Sequence, residues 1–287
     1  MASPEIIYTD STSDIPKETV EELNIGMIPL GVTVDNEQFL DGETINTQKI
    51  IELMNAGKFP QTGSPGIGII RERFEKARGK QIVSINISQG LSAVFNHAVL
   101  AAENINPTPY VISADTTSMA LGFMVIEAAR MKAQGKSPEE IQKYVESTKH
   151  RTVAMIALPT LTYIQKGGRI SHLSRLMGNM LRIKPIIMVH EGKIEEVQQI
   201  RTWGNAKERL AEIILTQKFD KVAVMFGENE ADADWLIGKL PVPTSKQILK
   251  VHLSAAILAH SGPLGLGVCG ILTPDSPQLT PALAREL

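Results

Sequence analysis

The chain has 287 residues, of which 43% are hydrophobic and 21% are charged, and its formal net charge is −2 at pH 7. Such a length and composition are typical of a globular protein with one large or two ordinary domains, and they exclude a disordered or fibrous chain. The near-neutral charge argues against nucleic acid as a partner, because DNA-binding proteins usually carry a basic excess or stripe.

The first 135 or so residues repeat a strand, a short polar loop and a helix. The three units are EIIYTD-STSD-PKETVEELN, QIVSINIS-QGLS-AVFNHAVLAAEN and PYVISAD-TTS-MALGFMVIEAARMKAQ. Ser13 or Asp14 is expected to cap the first of these helices. Three such units predict a mainly parallel sheet with helices against its faces, and ligands of such sheets bind beyond the carboxyl ends of the strands.

The segments around these units have their own signals. VTVDNEQFL predicts a hairpin, FPQTGSPG a loop with proline and glycine, and IIRERFEKARGK a helix. SPEEIQKYVESTKH predicts a helix that begins at Ser137-Pro138 and has acidic residues in its first turn.

The character of the sequence changes after about residue 152. TVAMIALPTLTYIQKGGRI, LRIKPIIMVHEGKIEEVQQIRT and VCGILTP are typical of strands joined by turns, and SHLSRLMGNML and WGNAKERLAEIILTQ of helices. We therefore expect two domains, an α/β lobe over residues 1–158 and an α+β lobe over residues 159–287.

Hydroxyl side chains recur where the predicted strands end and in the proline-rich loop. They are Ser11, Thr12, Ser13, Thr62, Ser64, Ser88, Ser92, Thr116, Thr117 and Ser118. Hydroxyls and helix N-terminal amides suit a carboxylate or a phosphate. Each loop taken alone is better explained as a helix cap, so only their convergence on one crevice would indicate a ligand site.

The sequence lacks the motifs that are typical of several classes of enzyme and binding site. Neither glycine-rich nucleotide motif is present, and Ser92 in QGLSAVF lacks the second glycine of a nucleophile elbow. A hydrolase or transferase in which Ser92 works with His260 on a small carboxylate or phosphate remains the alternative function. The aspartates follow no standard metal-binding spacing, so we expect no metal. The single cysteine, Cys269, cannot form an intrachain disulfide.

A local basic run spans residues 161–190, which contain no aspartate or glutamate. It is either a solvated surface or a docking surface for an acidic partner or an anionic group. Paired glycines in Lys166-Gly167-Gly168-Arg169 would let the backbone turn and aim the arginine. His260 falls in a segment that we interpret as a glycine- and proline-containing loop before a strand, a favourable place for ligand contact.

Together the motifs resemble the DegV family of bacterial fatty-acid-binding proteins, which serve as the lipid-carrying subunit of a fatty acid kinase. The resemblance rests on TDSTSDIP, PQTGSPG, ISQGLS, DTTSMALG, LTYIQKGGRIS, LRIKPIIMVHEGKI and AHSGPLGLG, which span nearly the whole chain in this order. It departs from the common family pattern at TGSPG, LSAVF and HSGPLGLG, although Thr62 and Ser92 are retained.

The resemblance implies a mainly parallel α/β lobe and an α+β lobe with a buried fatty acid between them. By motif, Thr62 and Ser92 would hold the carboxyl group, and Arg169 and His260 would orient it or engage the kinase. Secondary contacts are expected from Ser11, Ser13, Ser64 and Ser118. The expected ligand is a fatty acid of about C14 to C18, whose burial contributes about 0.8 kcal/mol per methylene.

The same resemblance implies a protein without catalysis of its own. It would need no cofactor and no metal, because an ATP-dependent fatty acid kinase subunit would phosphorylate the bound carboxyl group. No secretory pattern and no long apolar segment is present, so we expect a cytoplasmic protein without stable membrane insertion.

Overall fold

The computed structural model describes residues 6–169, 183–241 and 247–287. Its strands are β1 (Ile6–Asp10), β2 (Ile25–Ile28), β3 (Gly31–Val34), β4 (Glu37–Leu40), β5 (Gln61–Gly63), β6 (Ile82–Asn86), β7 (Tyr110–Ser113), β8 (Thr152–Ala157), β9 (Lys184–His190), β10 (Lys193–Ile200), β11 (Phe219–Phe226), β12 (Ile248–His252) and β13 (Leu266–Leu272). Its helices are α1 (Lys17–Glu22), α2 (Thr47–Asn55), α3 (Ile67–Lys76), α4 (Val94–Ala102), α5 (Ser118–Ala133), α6 (Pro138–Thr148), α7 (Thr162–Lys166), α8 (Trp203–Leu215), α9 (Glu230–Ile237), α10 (Ala255–Ser261) and α11 (Pro281–Glu286).

The first sheet is parallel and has the strand order β2-β1-β6-β7. The three predicted strand-loop-helix units are thereby confirmed, and the short strand β2 was missed. Helix α5 contacts strands of this sheet and of the six-stranded sheet. It is apolar around most of its circumference, as expected for a helix enclosed on several sides.

A small antiparallel sheet with the order β4-β3-β5 lies beside the first. The predicted hairpin is confirmed as β3 and β4. Part of the predicted proline-rich loop forms the short strand β5, which pairs with β3 so that Thr62 lies opposite Val32. The backbone of Thr62 is therefore fixed by strand pairing and does not lie in a free loop.

The third sheet has six strands in the order β10-β9-β8-β13-β11-β12, antiparallel except for the β11–β12 pair. Alternate residues point to opposite faces of its strands. Ala154, Cys269 and Met225 face the first sheet, while Met155 and Val224 pack in the core on the other side. One hydrophobic cluster thus joins the facing sides of both large sheets.

The division at residue 158 stays a prediction. The chain changes from the first to the third sheet between β7 and β8, a few residues before that position. The helix expected at SHLSRLMGNML lies outside the described residues, as do Arg175 and Arg182 of the basic run. None of the described helices is long and apolar enough to span a membrane.

Two local predictions were wrong. TYIQK forms helix α7 and not a strand. Neither Ser13 nor Asp14 caps α1, because the N-cap residue is Pro16, which has no polar side chain to cap with, and the Asp14 carboxylate is bonded elsewhere. The start of α6 is confirmed, since Ser137 and Glu140 form a reciprocal capping box.

Candidate ligand-binding site

A cavity of about 950 Å³, part of it open to solvent, lies between the first and third sheets. The apolar wall includes Leu30, Ile87, Leu91, Ile156, Leu158, Ile164, Ile187, Val189, Met225, Leu253, Ile257 and Cys269. The polar side chains on the wall are Thr12, Thr62, Ser64, Ser92, Thr117, Ser118, Arg169, His260 and Ser261.

The first polar pair on the wall joins β5 to α10. Thr62 Oγ1 and His260 Nε2 are 2.7 Å apart. The interpretation of His260 as a loop residue was wrong, because it lies in the last turn of α10. Ser254 caps this alanine-rich helix, and Gly262 ends it with a φ of 81°, a left-handed conformation that favours glycine.

The His260 ring is closely packed. The backbone of Gly167 approaches it so closely that a Cβ at this position would lie 2.1 Å from Nδ1. Burial, together with the nearby Arg169 charge, lowers the pKa of His260 to about 4, so the ring is neutral at pH 7. In the tautomer protonated at Nε2, the ring donates to Thr62 and leaves the threonine hydroxyl hydrogen for an acceptor in the cavity.

The second polar pair lies where β5 faces the start of α4. Ser64 Oγ and Ser92 Oγ are 3.0 Å apart, and the Val94 amide donates to Ser92 Oγ at 3.4 Å. Each hydroxyl has one hydrogen, so the bond between the two serines uses one and leaves the other. This pair can therefore donate one hydrogen bond to a ligand.

Arg169 supplies the positive charge of the site. Its Nε donates to the Leu91 carbonyl at 3.4 Å and its Nη1 to the Gly167 carbonyl at 2.8 Å, which places it beside both hydroxyl pairs. Within the described part of the chain, no carboxylate forms an ion pair with it. Burial lowers the pKa of Arg169, but a guanidinium stays charged at neutral pH. The site thus attracts an anion.

The secondary candidates divide into two groups. Ser64 and Ser118 line the cavity, and Ser118 Oγ donates to Asp14 Oδ2 at 2.5 Å. Ser11 and Ser13 are buried but do not lie on the cavity wall. Ser11 Oγ instead accepts a hydrogen bond from the Leu30 amide at 3.1 Å.

Sequence reasoning named the loops of Thr12 and Thr117 but did not select these residues as ligand contacts. Both line the cavity, and Thr117 Oγ1 is buried without a hydrogen-bond partner. Their position in the same hydroxyl-rich strand-end loops could have identified them as cavity residues. Among the described residues, no group of three His, Cys, Asp or Glu side chains is placed to hold a metal ion.

A family model described as an uncharacterised protein of the DegV family matches residues 6–273. The chain belongs to the DegV family. A DegV domain-containing protein of Staphylococcus aureus strain MRSA252 is 32% identical over 226 residues, covering 77% of this chain and 81% of the relative. A DegV domain-containing protein of Streptococcus pneumoniae serotype 4 is 30% identical over 262 residues, covering 89% and 94%.

Solved DegV structures have the same fold. DegV from Bacillus subtilis, described as a fatty acid binding protein, superposes with a TM-score of 0.85 at 27% identity, covering 94% of this chain and 100% of the other. A DegV family protein from Thermus thermophilus, described in terms of fatty acid binding, gives a TM-score of 0.84 at 25% identity, covering 93% and 99%. The expected family and fold class are confirmed.

Proposed function

We propose that this DegV protein binds a long-chain fatty acid in the cavity, with the carboxyl group held by Thr62 and Ser92 beside Arg169 and His260. The observation that carries the proposal is a set of hydroxyls around an unneutralised guanidinium in an otherwise apolar cavity. The fatty acid binding described for the Bacillus subtilis and Thermus thermophilus proteins supports it.

The chemistry of the wall matches both parts of such a ligand. A carboxylate only accepts hydrogen bonds, and the two hydroxyl pairs and the guanidinium donate them. An acyl chain of about C14 to C18 gains about 0.8 kcal/mol per methylene that it buries, which makes the apolar wall the main source of affinity. The polar end then selects for the acid and sets the direction of the chain.

We further propose that the bound acid is the substrate of a partner kinase. The kinase would transfer the γ-phosphoryl group of ATP to a carboxylate oxygen, giving an acyl phosphate and ADP, and this chain would contribute no catalytic group. The half-buried Arg169 and the exposed Lys166 nearby leave positive charge at the carboxyl end of the cavity for such an encounter. The surrounding wall would shield the acyl phosphate from water.

The alternative function, a serine-dependent hydrolase or transferase, has less support. Ser92 is bonded to Ser64 and His260 to Thr62, and no hydrogen bond joins Ser92 to His260. Nδ1 of His260 has no partner, so the ring also lacks the carboxylate that orients a catalytic histidine. With its pKa lowered to about 4, His260 would be a weak base.

Lipid analysis of the purified protein tests the binding proposal. Native mass spectrometry is expected to show the mass of one co-purifying fatty acid, and delipidated protein is expected to rebind palmitate or oleate. Delipidated, folded protein that binds neither acid would refute it. The kinase proposal is tested separately by adding a bacterial fatty acid kinase and ATP and trapping the acyl phosphate with hydroxylamine. Tight lipid binding without any trapped product would overturn the kinase part alone.

A further inference from the structure

Two buried carboxylates of the first half of the chain hold the first turn of α10. Asp14 Oδ1 accepts a hydrogen bond from the Ser254 amide at 2.9 Å. Asp41 accepts one from the Ala255 amide on Oδ1 at 3.1 Å and one from the Ala256 amide on Oδ2 at 3.2 Å. The free amides at the start of this helix are thus bonded by side chains more than 200 residues away in sequence.

The same helix forms part of the cavity wall. Ala256, Ile257, His260 and Ser261 line the cavity, and His260 contacts Thr62 at the other end of the helix. At about 1.5 Å per residue, Ser254 and His260 are separated by roughly 9 Å along the axis. A helix this short moves as one piece, so a shift at its first turn moves His260 relative to Thr62.

We propose that Asp14 and Asp41 are positioning residues for the ligand site, which they keep in place by holding α10 against the first sheet. Breaking these contacts lets α10 move away, separates His260 from Thr62 and opens the wall along the ligand. The effect on ligand release rests on the proposed function. The effect on the position of His260 does not rest on the proposed function, because it is expected in the ligand-free protein as well.

Because of the groups around Asp14 and Asp41, the position of α10 should depend on pH. Asp14 faces the hydroxyl of Ser118, the thiol of Cys269 and the carboxyl of Asp41, and Asp41 in turn faces Ser11 and the buried Asp10. Among the described residues, no lysine, arginine or histidine forms an ion pair with any of the three aspartates. Burial and, to a smaller extent, a neighbouring carboxylate outweigh the hydrogen bonds that these groups accept, and raise the pKa of Asp14 to about 7 and that of Asp41 to about 6.

The direction of the pH effect follows from these values. With α10 in place, Asp14 binds a proton that it would release if the helix moved away and water reached the carboxyl group. Protonation therefore favours the closed arrangement, and a rise in pH through about 6 to 8 favours opening. If the movement of α10 releases one proton, its equilibrium constant changes by at most about tenfold per pH unit.

The same chemical substitution is expected to have opposite effects at the two positions. In Asp14→Asn the amide oxygen still accepts from the Ser254 amide, its NH₂ group donates to Ser118 Oγ, and position 14 no longer titrates. In Asp41→Asn, one carboxylate oxygen becomes an NH₂ group facing a backbone N–H, so one of two contacts is lost. Asp14→Asn should hold the helix, whereas Asp41→Asn should loosen it.

The first test is the dissociation rate of cis-parinaric acid, a fluorescent long-chain fatty acid, from the full chain into acceptor vesicles. Wild type should release it about three to ten times faster at pH 8 than at pH 6. Asp14→Asn should release it slowly and with a much smaller change over that range, because only Asp41 then titrates beside α10. Asp41→Asn should release it about tenfold faster than wild type at each pH. Asp115→Asn is the matched control, since this strand-end aspartate contacts Ser113 and Lys149 and not α10.

The second test is a histidine NMR titration of the ligand-free protein, with His260 assigned from His260→Gln. Its low pKa should persist in Asp14→Asn and rise toward 6.5 in Asp41→Asn, because loosening exposes the ring to water. A His260 pKa unchanged in folded Asp41→Asn, or wild-type pH dependence of release retained in Asp14→Asn, would overturn the inference. Wild type that binds no cis-parinaric acid would instead refute the proposed function, and the NMR result would still decide the placement of His260.

Discussion

Replacing Thr62 by valine removes one hydroxyl from the site and little else. Valine has nearly the shape of threonine and the same branching at Cβ, so β5 should keep its pairing with β3. The substitution takes away both the hydrogen-bond partner of His260 Nε2 and one proposed donor to the carboxyl group.

The size of the effect follows from these two losses. A hydrogen bond to a charged group contributes about 1.5 to 3 kcal/mol, so the affinity for a fatty acid should fall about 10- to 100-fold. In the free variant neither ring nitrogen of His260 would have a partner, since Nδ1 already lacks one. Leaving such a buried group unpaired should lower the free energy of unfolding by about 1 to 3 kcal/mol.

Affinities for palmitate and for its methyl ester measure the first loss, and denaturant unfolding measures the second. Wild type should prefer the acid strongly, because the ester has no negative charge to meet the hydroxyls and Arg169. Thr62→Val should lose affinity for the acid and little for the ester. Thr33→Val is the matched control, since Thr33 lies on the adjacent strand and not on the cavity wall.

An equal loss of acid and ester binding would show that the substitution disturbs the cavity as a whole. An unchanged preference for the acid in folded Thr62→Val would contradict the placement of the carboxyl group beside this residue.

Three further substitutions probe other parts of the site. Arg169→Gln should weaken acid binding about tenfold and reduce its salt dependence, measured by titration at two ionic strengths, because the site loses its charge. Cys269→Leu should fill part of the cavity and lower the affinity for long acyl chains more than for short ones, measured across a chain-length series. Wild-type His260 stays neutral between pH 6.5 and about 4, whereas the unfolded chain protonates there. The contribution of neutral His260 to stability is therefore lost as pH falls from 6.5 to about 4. Over that range the free energy of unfolding of wild type should fall by up to about 3 kcal/mol relative to that of His260→Gln, measured by denaturant unfolding at a series of pH values.

Strands and helices with a clear local signal could be predicted from the sequence. The three strand-end units were correct because apolar runs, hydroxyl loops and helix starts all indicated the same structure. The capping box before α6 is likewise a local feature. Errors arose where contacts distant in sequence decide the outcome, as in TYIQK, which forms α7 against α10 although its composition suits a strand.

The site was predictable in its residue types but not in its geometry. Motif reasoning selected Thr62, Ser92, Arg169 and His260, and the structure brings all four to one cavity. It could not foresee that Thr62 bonds His260 while Ser92 bonds Ser64, because each bond joins residues of segments that only the folded chain brings together. Nor does the sequence reveal that the Asp14 carboxylate of TDSTSD bonds the start of α10.

The cavity lies within the hydrophobic cluster that joins the two large sheets, with Ile87 on one side and Met225 on the other. A bound acyl chain therefore adds packing surface to the core as well as occupying a pocket. Its presence should raise the free energy of unfolding, because the chain binds the folded protein and contacts the wall that both sheets contribute. Lipid supply would in this way set how long each copy of the protein survives proteolysis.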